Sequence, residues 1–123
     1  PIPELKENFA GFANRKWNWN LDPEQVRIAC DVGVGVIEVL RTFMSVGDKL
    51  MINTPVYNNF FTWINELKLT KVEVPLKREG MHFTLDMAGI EAVYKSGVKA
   101  HLLCNPHNPV GTVYTKLELM LLS

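Results

Sequence analysis

Short apolar runs alternate with amphipathic stretches along most of this chain, and that alternation is the feature that most constrains its fold. Apolar residues recur at helical spacing in the stretches between the runs. Strands that alternate with helices in this way are typical of βαβ units, whose strands pair in parallel. The sequence therefore predicts an α/β fold with three αβα layers and a mostly parallel sheet. The four predicted strands are residues 26–31, 49–53, 71–75 and 99–104.

The predicted helices have recognisable starts and stops. Asp22 and Pro23 can cap and begin a short helical turn, and residues 77–84 are predicted to be a polar loop. We expect residues 1–20 to form an N-terminal helix with a connector that contains two tryptophans, and residues 21–123 to form the α/β domain. The helices are predicted over residues 3–15, from residue 36 to Gly47, over 60–67, from Asp86 to Gly97, and from Thr115 onward.

The composition disfavours several classes of function. Thirteen basic and thirteen acidic residues cancel, so neither nucleic acid nor an anionic membrane is an expected partner. Cys30 and Cys104 are far apart, which favours a reduced, cytoplasmic protein over a disulfide scaffold. No apolar run has membrane-spanning length, and no set of residues has metal-ligand spacing, so no metal site is predicted.

The run at 99–104 stops in the motif Asn105-Pro106-His107-Asn108-Pro109-Val110-Gly111. A residue before proline is held extended, and open α/β sheets bind ligands at the carboxyl ends of their strands. The motif is therefore a candidate ligand clamp, although a proline-stiffened loop whose asparagines bind nearby backbone explains it as well. His107 is expected to face solvent. Right-handed crossovers place this loop on one rim with residues 31–35 and 53–57.

Together these loops resemble the cofactor site of fold type I pyridoxal-phosphate (PLP) enzymes. The chain is similar to the class I/II aminotransferases, in the branch of C–S β-lyases of the MalY/PatB cystathionine β-lyase type. The resemblance implies that residues 21–123 are an incomplete half of a PLP-transferase large domain. It is carried by Arg15-Lys16-Trp17-Asn18-Trp19, Val34-Gly35-Val36, Thr54-Pro55-Val56-Tyr57 and the residues from Leu103 to Gly111.

The resemblance also implies four cofactor-binding residues. Asn108 would donate its side-chain amide to the 3-oxygen of the cofactor ring, and the Asn108-Pro109 bond is expected to be cis. Tyr57 would lie against the pyridine face, although a buried core tyrosine is the alternative. Gly35 and Val36 would offer backbone N–H groups to the phosphate at a helix N-terminus, where a plain strand-to-helix turn explains the glycines equally well.

In the family that the chain resembles, the Schiff-base lysine and the other catalytic groups come after the position of Gly111. We therefore expect no catalytic residue in this chain, and we expect weak or absent PLP binding, self-association as a fragment, and a homodimeric parent enzyme. Ser96-Gly97-Val98-Lys99 has the spacing of a PLP lysine motif. It precedes its strand, so it should lie at the opposite edge of the sheet.

A C–S β-lyase that acts on amino acids is the function most favoured by the resemblance. A class I/II aminotransferase is the close alternative, because both reactions begin with proton loss from the substrate α-carbon. A non-catalytic α/β module for a phosphate ligand would need only residues 33–36 and the rim.

One residue departs from the family pattern. Lys68 stands at a helix end where relatives usually have glycine. A left-handed backbone conformation is expected there, so lysine should either be strained in it or reroute the turn.

Overall fold

The computed structural model describes residues 4–123, and the chain divides into two compact units, Pro1–Val32 and Gly33–Ser123. The first unit contains α1 (Leu5–Trp17) and a short 3-10 helix (Pro23–Gln25). Asn18, at φ 52°, ends α1. The Asp22 side chain accepts a hydrogen bond from the Glu24 N–H at 3.0 Å, so the predicted cap is confirmed. The predicted start of the first helix, residue 3, lies outside the described residues.

The strand predicted at residues 26–31 is wrong. Residues 26–29 have no regular secondary structure, residues 30–31 form a bend, and Ile28 is exposed. The Arg27 guanidinium donates to the carbonyl oxygens of Glu24 and Val26, so the hydrogen bonds of this side chain are local. An apolar run becomes a strand only when a neighbouring strand completes its hydrogen bonds, and none of residues 4–123 does so here.

The second unit is built on a parallel sheet of three strands, in the order β2 (Thr70–Glu73), β1 (Lys49–Ile52) and β5 (Ala100–His101). Met51 of β1 pairs with Val72 on one side and with His101 on the other. The parallel sheet is therefore confirmed, with strands shorter than predicted. The elements are α2 (Val32–Arg41), β1 (Lys49–Ile52), α3 (Asn59–Glu66), β2 (Thr70–Glu73), β3 (Lys77–Glu79), β4 (His82–Thr84), α4 (Met87–Lys95), β5 (Ala100–His101) and α5 (Lys116–Leu122).

Two apolar clusters, one on each face of the sheet, give the three predicted layers. Leu50 and Ile52 lie in one cluster with residues of α2 and α3, and Met51 lies in the other with residues of α4 and α5. The side chains of Leu50, Met51 and Ile52 are fully buried, and each contributes about 1.5–3 kcal/mol by leaving water. The alternation along β1 therefore fixes which helices cover which face.

Residues 77–84 form an antiparallel hairpin rather than the predicted polar loop. Strands β3 and β4 pair across a turn in which Gly80 has φ 61°, and Phe83 packs against the second cluster. Seven of the eight residues are exposed, and most are polar, so the segment looks like a loop in sequence. One inward aromatic side chain is enough to hold so short a hairpin against the core.

Helix α2 begins at Val32, four residues before the predicted start. Its glycines at 33 and 35 therefore lie inside the helix, although glycine disfavours helix interiors by about 1 kcal/mol. Val36, Ile37 and Leu40 pack into the first cluster. This tertiary packing outweighs the local preference.

The expected strain at Lys68 is confirmed, because its φ is 53°. We predict that Lys68→Gly raises the free energy of unfolding by about 0.5–1 kcal/mol, because glycine adopts this conformation without a Cβ clash. Urea denaturation measures the change. Lys68→Ala is the matched control, since it removes the same side chain but keeps the Cβ; an equal gain in both variants would contradict the explanation.

Candidate functional site

The loops that follow β1 and β5 leave the sheet at the same edge. The two strands are parallel neighbours, so the β1 loop (residues 53–58) and the β5 loop (residues 102–115) start side by side. Tyr57 lies in the first and Asn108 in the second. The side chains of Val36, Val56 and Cys104 all pack in the first apolar cluster, so the start of α2 comes to this edge too. The candidate site is this edge.

Asn108 is exposed, and among residues 4–123 its side-chain amide has no hydrogen-bond partner. Its backbone is held in place: the N–H donates to Cys104 Sγ at 3.4 Å. The Asn108-Pro109 bond is cis, as expected, and so are the Thr54-Pro55 and Asn105-Pro106 bonds. The amide is therefore presented to solvent from a fixed backbone.

Tyr57 is 42% exposed, so it is not the buried core residue that the sequence left as the alternative. Its hydroxyl accepts a hydrogen bond from Asn59 Nδ2 at 3.0 Å, and its carbonyl oxygen accepts from the Phe60 N–H at the start of α3. The backbone and the far end of the side chain are thus anchored. The ring presents an open apolar surface at the rim.

Gly35 and Val36 are the fourth and fifth residues of α2. Because the helix begins earlier than predicted, their N–H groups lie where the intrahelical hydrogen-bond ladder starts, one turn inside the helix end. Gly35 adds no side chain at that point. Its lack of a Cβ leaves the backbone of the second turn open to close approach.

His107 is 1% exposed, so the expectation that it faces solvent is wrong. Its Nε2 lies 2.9 Å from the carbonyl oxygen of Pro55, and its Nδ1 lies 2.7 Å from Tyr114 Oη. A carbonyl oxygen only accepts, so Nε2 donates, and in the neutral ring Nδ1 accepts the tyrosine proton. Burial, reinforced by the nearby Cys104 and Glu118, raises the pKa of Tyr114 to about 12. Tyr114 therefore stays a donor.

A second buried polar network lies at the ends of β1 and β5. Asn53, 2% exposed, donates from Nδ2 to the Val74 carbonyl oxygen at 3.2 Å. Its Oδ1 lies 2.7 Å from His101 Nε2, and His101 Nδ1 lies 2.9 Å from Tyr94 Oη. Sequence reasoning missed this network. The available signal was Asn53 itself, a polar side chain at the end of an otherwise apolar run.

Lys99 lies at the amino edge of the sheet, as predicted. Its Nζ is 2.6 Å from an Asp48 carboxylate oxygen, just before β1, and its N–H donates to the Lys49 carbonyl oxygen. The segment Ser96-Gly97-Val98-Lys99 therefore lies at the edge of the sheet opposite the β1 and β5 loops.

Two kinds of feature are absent from residues 4–123. No group of three or more histidine, cysteine, aspartate or glutamate side chains there could hold a metal ion. None of the helices in that range combines the length and the apolar character that crossing a membrane requires.

The His101 network predicts a pH dependence of stability. Burial lowers the pKa of His101 from 6.5 to about 4, so the unfolded chain binds more protons than the folded chain between these values. The free energy of unfolding should therefore fall, by on the order of 2 kcal/mol for a partly exposed ring, as the pH drops from about 6.5 to 4. Urea denaturation at a series of pH values measures it.

His101→Gln is the control, because glutamine does not titrate. It should flatten the profile in this window. Ion pairs with Lys99 and Lys77 hold the carboxyl pKa values of Asp48 and Asp86 below 3.8, so their contribution is lost only at lower pH. An unchanged slope in His101→Gln would refute the assignment.

Tyr114→Phe should lower the free energy of unfolding by about 1–3 kcal/mol, because it leaves the buried Nδ1 of His107 without a donor. Tyr57→Phe removes a hydroxyl at the surface and should change stability by less than about 0.5 kcal/mol. Chemical denaturation of both variants makes the comparison. Equal losses in the two variants would show that the buried hydrogen bond contributes no more to the free energy of unfolding than the exposed one.

The chain is similar to known proteins along its whole length. The family model "Aminotransferase class I and II" matches residues 1–123. A Mycobacterium leprae protein named "Putative cystathionine beta-lyase" is 36% identical over 122 residues, which cover 92% of this chain and 30% of that protein. "Aspartate aminotransferase" of Sulfolobus acidocaldarius is 29% identical over 119 residues, or 96% of this chain and 30% of that protein.

Among solved structures, cystalysin from Treponema denticola, which contains a pyridoxal 5′-phosphate cofactor, matches with a TM-score of 0.92 and 30% identity. The match covers 99% of this chain and 31% of cystalysin, so the chain spans about three tenths of the length of its relatives. The match supports the three-layer fold with its mostly parallel sheet. This chain belongs to the aminotransferase class I and II family.

Proposed function

We propose that this chain forms one wall of a PLP site in a longer enzyme that acts on amino acids. One observation carries the proposal. The hydrogen bond from His107 Nε2 to the Pro55 carbonyl oxygen, at 2.9 Å, joins the β1 loop to the β5 loop. Tyr57 follows Pro55 by two residues, and Asn108 follows His107 directly, so an aromatic ring and a free amide are held on the same rim.

The donor set fits the chemistry of PLP. The oxygen on carbon 3 of its ring needs a neutral hydrogen-bond donor that adds no charge, and the amide of Asn108 is such a donor. The flat pyridine ring needs an aromatic face, which the exposed ring of Tyr57 supplies.

The phosphate has its proposed place at the first turns of α2, where aligned peptide dipoles favour a dianion. Gly35 and Val36 remain the proposed contacts there. Because their N–H groups lie inside the helix ladder, the helix dipole is the proposed source of attraction, and the missing Cβ of Gly35 allows the phosphate to come close.

When bound, PLP supplies an electron sink for bonds to the substrate α-carbon. The residues of this chain bind and orient it, and we assign no catalytic residue among residues 4–123. Lys99, the lysine with a suggestive spacing, lies at the far edge of the sheet in an ion pair with Asp48. We place the Schiff-base lysine elsewhere in the longer protein.

A C–S lyase reaction is the proposed activity of that protein. The name of the Mycobacterium leprae relative, at 36% identity, supports a cystathionine-like substrate. An aminotransferase is the second candidate, supported by the relative from Sulfolobus acidocaldarius at 29% identity. A homodimeric, cytoplasmic enzyme is part of the same proposal.

We also expect this chain to self-associate when it is isolated. Strands β2 and β5 both have an open edge within the described sheet, and α5 exposes Leu117, Met120 and Leu121. Open edges and apolar faces favour association.

The cofactor proposal predicts that Asn108→Ala weakens ligand binding about tenfold, the effect of losing one hydrogen bond to a charged oxygen. The probe is 4′-deoxypyridoxine 5′-phosphate, which keeps the ring, the 3-hydroxyl and the phosphate but has no aldehyde to react with surface lysines. Chemical-shift titration by NMR detects the weak binding that is expected.

Asn65→Ala is the matched control, because Asn65 is an exposed asparagine on α3, outside the site. It should bind the probe as the unmodified chain does. Equal affinity in Asn108→Ala, or equal losses in both variants, would overturn the assignment of Asn108. With PLP itself, borohydride reduction should leave no stoichiometric adduct on a single lysine.

A further inference from the structure

His107 is buried in the middle of an exposed segment. Its neighbours Pro106, Asn108 and Pro109 are exposed, while the histidine itself is 1% exposed. A histidine with no role in packing would be exposed as its neighbours are, because burying a polar ring is costly unless both ring nitrogens have hydrogen-bond partners. Both nitrogens of His107 do.

Hydrogen bonds fix this residue from four directions. Nε2 donates to the Pro55 carbonyl oxygen, and Nδ1 accepts from Tyr114 Oη. In the backbone, the His107 N–H donates to the Thr112 carbonyl oxygen and the His107 carbonyl oxygen accepts from the Gly111 N–H, both at 2.7 Å. The ring and the backbone of His107 therefore have one arrangement, and Asn108 is the next residue.

The bond to Pro55 is the link between the two halves of the proposed site. Within residues 4–123 it is the one hydrogen bond between the β1 loop and the β5 loop. The other side-chain hydrogen bonds of the β5 loop do not reach the β1 loop: Thr112 Oγ1 donates to the Phe83 carbonyl oxygen, and the Tyr114 N–H donates to Asn105 Oδ1. The imidazole therefore adds a directed contact between the two loops to the apolar packing that Val56 and Cys104 provide.

We propose that His107 is a positioning residue, which holds the amide of Asn108 in register with the ring of Tyr57. This inference rests on the proposed function. A bound ring system tolerates little error in the placement of its donors, since a displacement of about 0.5 Å already weakens a directed hydrogen bond. His107 acts through Asn108 and does not touch the ligand.

The test compares two ligands in each variant. One is 4′-deoxypyridoxine 5′-phosphate and the other is its analogue without the 3-hydroxyl, and the ratio of their dissociation constants measures the hydrogen bond of Asn108. The unmodified chain should prefer the first ligand about tenfold. His107→Phe keeps an aromatic ring but removes both hydrogen bonds, and it should bring the ratio close to one while affinity for the analogue changes less than about twofold.

Two further variants complete the design. His107→Gln should restore most of the preference, because its amide nitrogen can donate to Pro55 and its oxygen can accept from Tyr114. His82→Phe changes an exposed histidine in the hairpin and should leave the ratio at about ten. If His107→Phe does not fold, Tyr114→Phe is used in its place. Tyr114→Phe removes the hydrogen bond to His107 Nδ1 and should lower the ratio at least about twofold.

The outcomes separate the two proposals. A tenfold preference retained in His107→Phe, or in Tyr114→Phe where that variant replaces it, overturns the positioning role and leaves the cofactor site intact. Equal losses of affinity for both ligands also overturn it, because they indicate general damage. A ratio of one in the unmodified chain overturns the cofactor proposal itself.

Discussion

The parallel pairing of β1 with both β2 and β5 is the interaction on which the rest of the second unit depends. β1 is the central strand, and Leu50, Met51 and Ile52 have no exposed surface. Their alternation assigns α2 and α3 to one face and α4 and α5 to the other. Parallel pairing also sends the loops after β1 and β5 to one edge. The direction of the strands thus determines where the candidate site lies, and the side chains determine what it could bind.

Two histidines connect that sheet to its rim. His101 lies in β5 and is hydrogen-bonded to Asn53, the residue after β1, whereas His107 joins the loops beyond the strands. Buried polar groups whose partners are all present hold one geometry more strictly than apolar contacts, because any displacement leaves a donor or acceptor without a partner. The apolar clusters therefore supply most of the stability, and the proposed role of the imidazoles is to fix the geometry of the candidate site.

Periodicity predicted the layers and the parallel sheet, because alternating apolar patterns reflect burial directly. It failed where a residue's state depends on distant partners. Residues 26–31 have the composition of a strand, but none of residues 4–123 forms a strand beside them. His107 has the sequence context of an exposed loop residue, and only its contacts with Pro55 and Tyr114, which are distant in sequence or depend on the fold, show that it is buried. The start of α2 was missed because packing of Val36 and Leu40 outweighed two glycines. The resemblance to a known family named Tyr57 and Asn108, which spacing alone could not distinguish from structural loop residues.

In the proposed site, the arrangement of Asn108 would allow ligand binding at low cost. Its side-chain amide is exposed, so it can hydrogen-bond to water in the free chain, and the fold does not bear the cost of burying an unpaired amide. Its backbone is held by Cys104 Sγ and by the adjoining His107, so little backbone entropy remains to be lost on binding. A buried, unpaired amide would destabilise the fold, and a mobile one would bind weakly. An exposed side chain on a fixed backbone avoids both, and that combination requires the neighbouring residue to be buried.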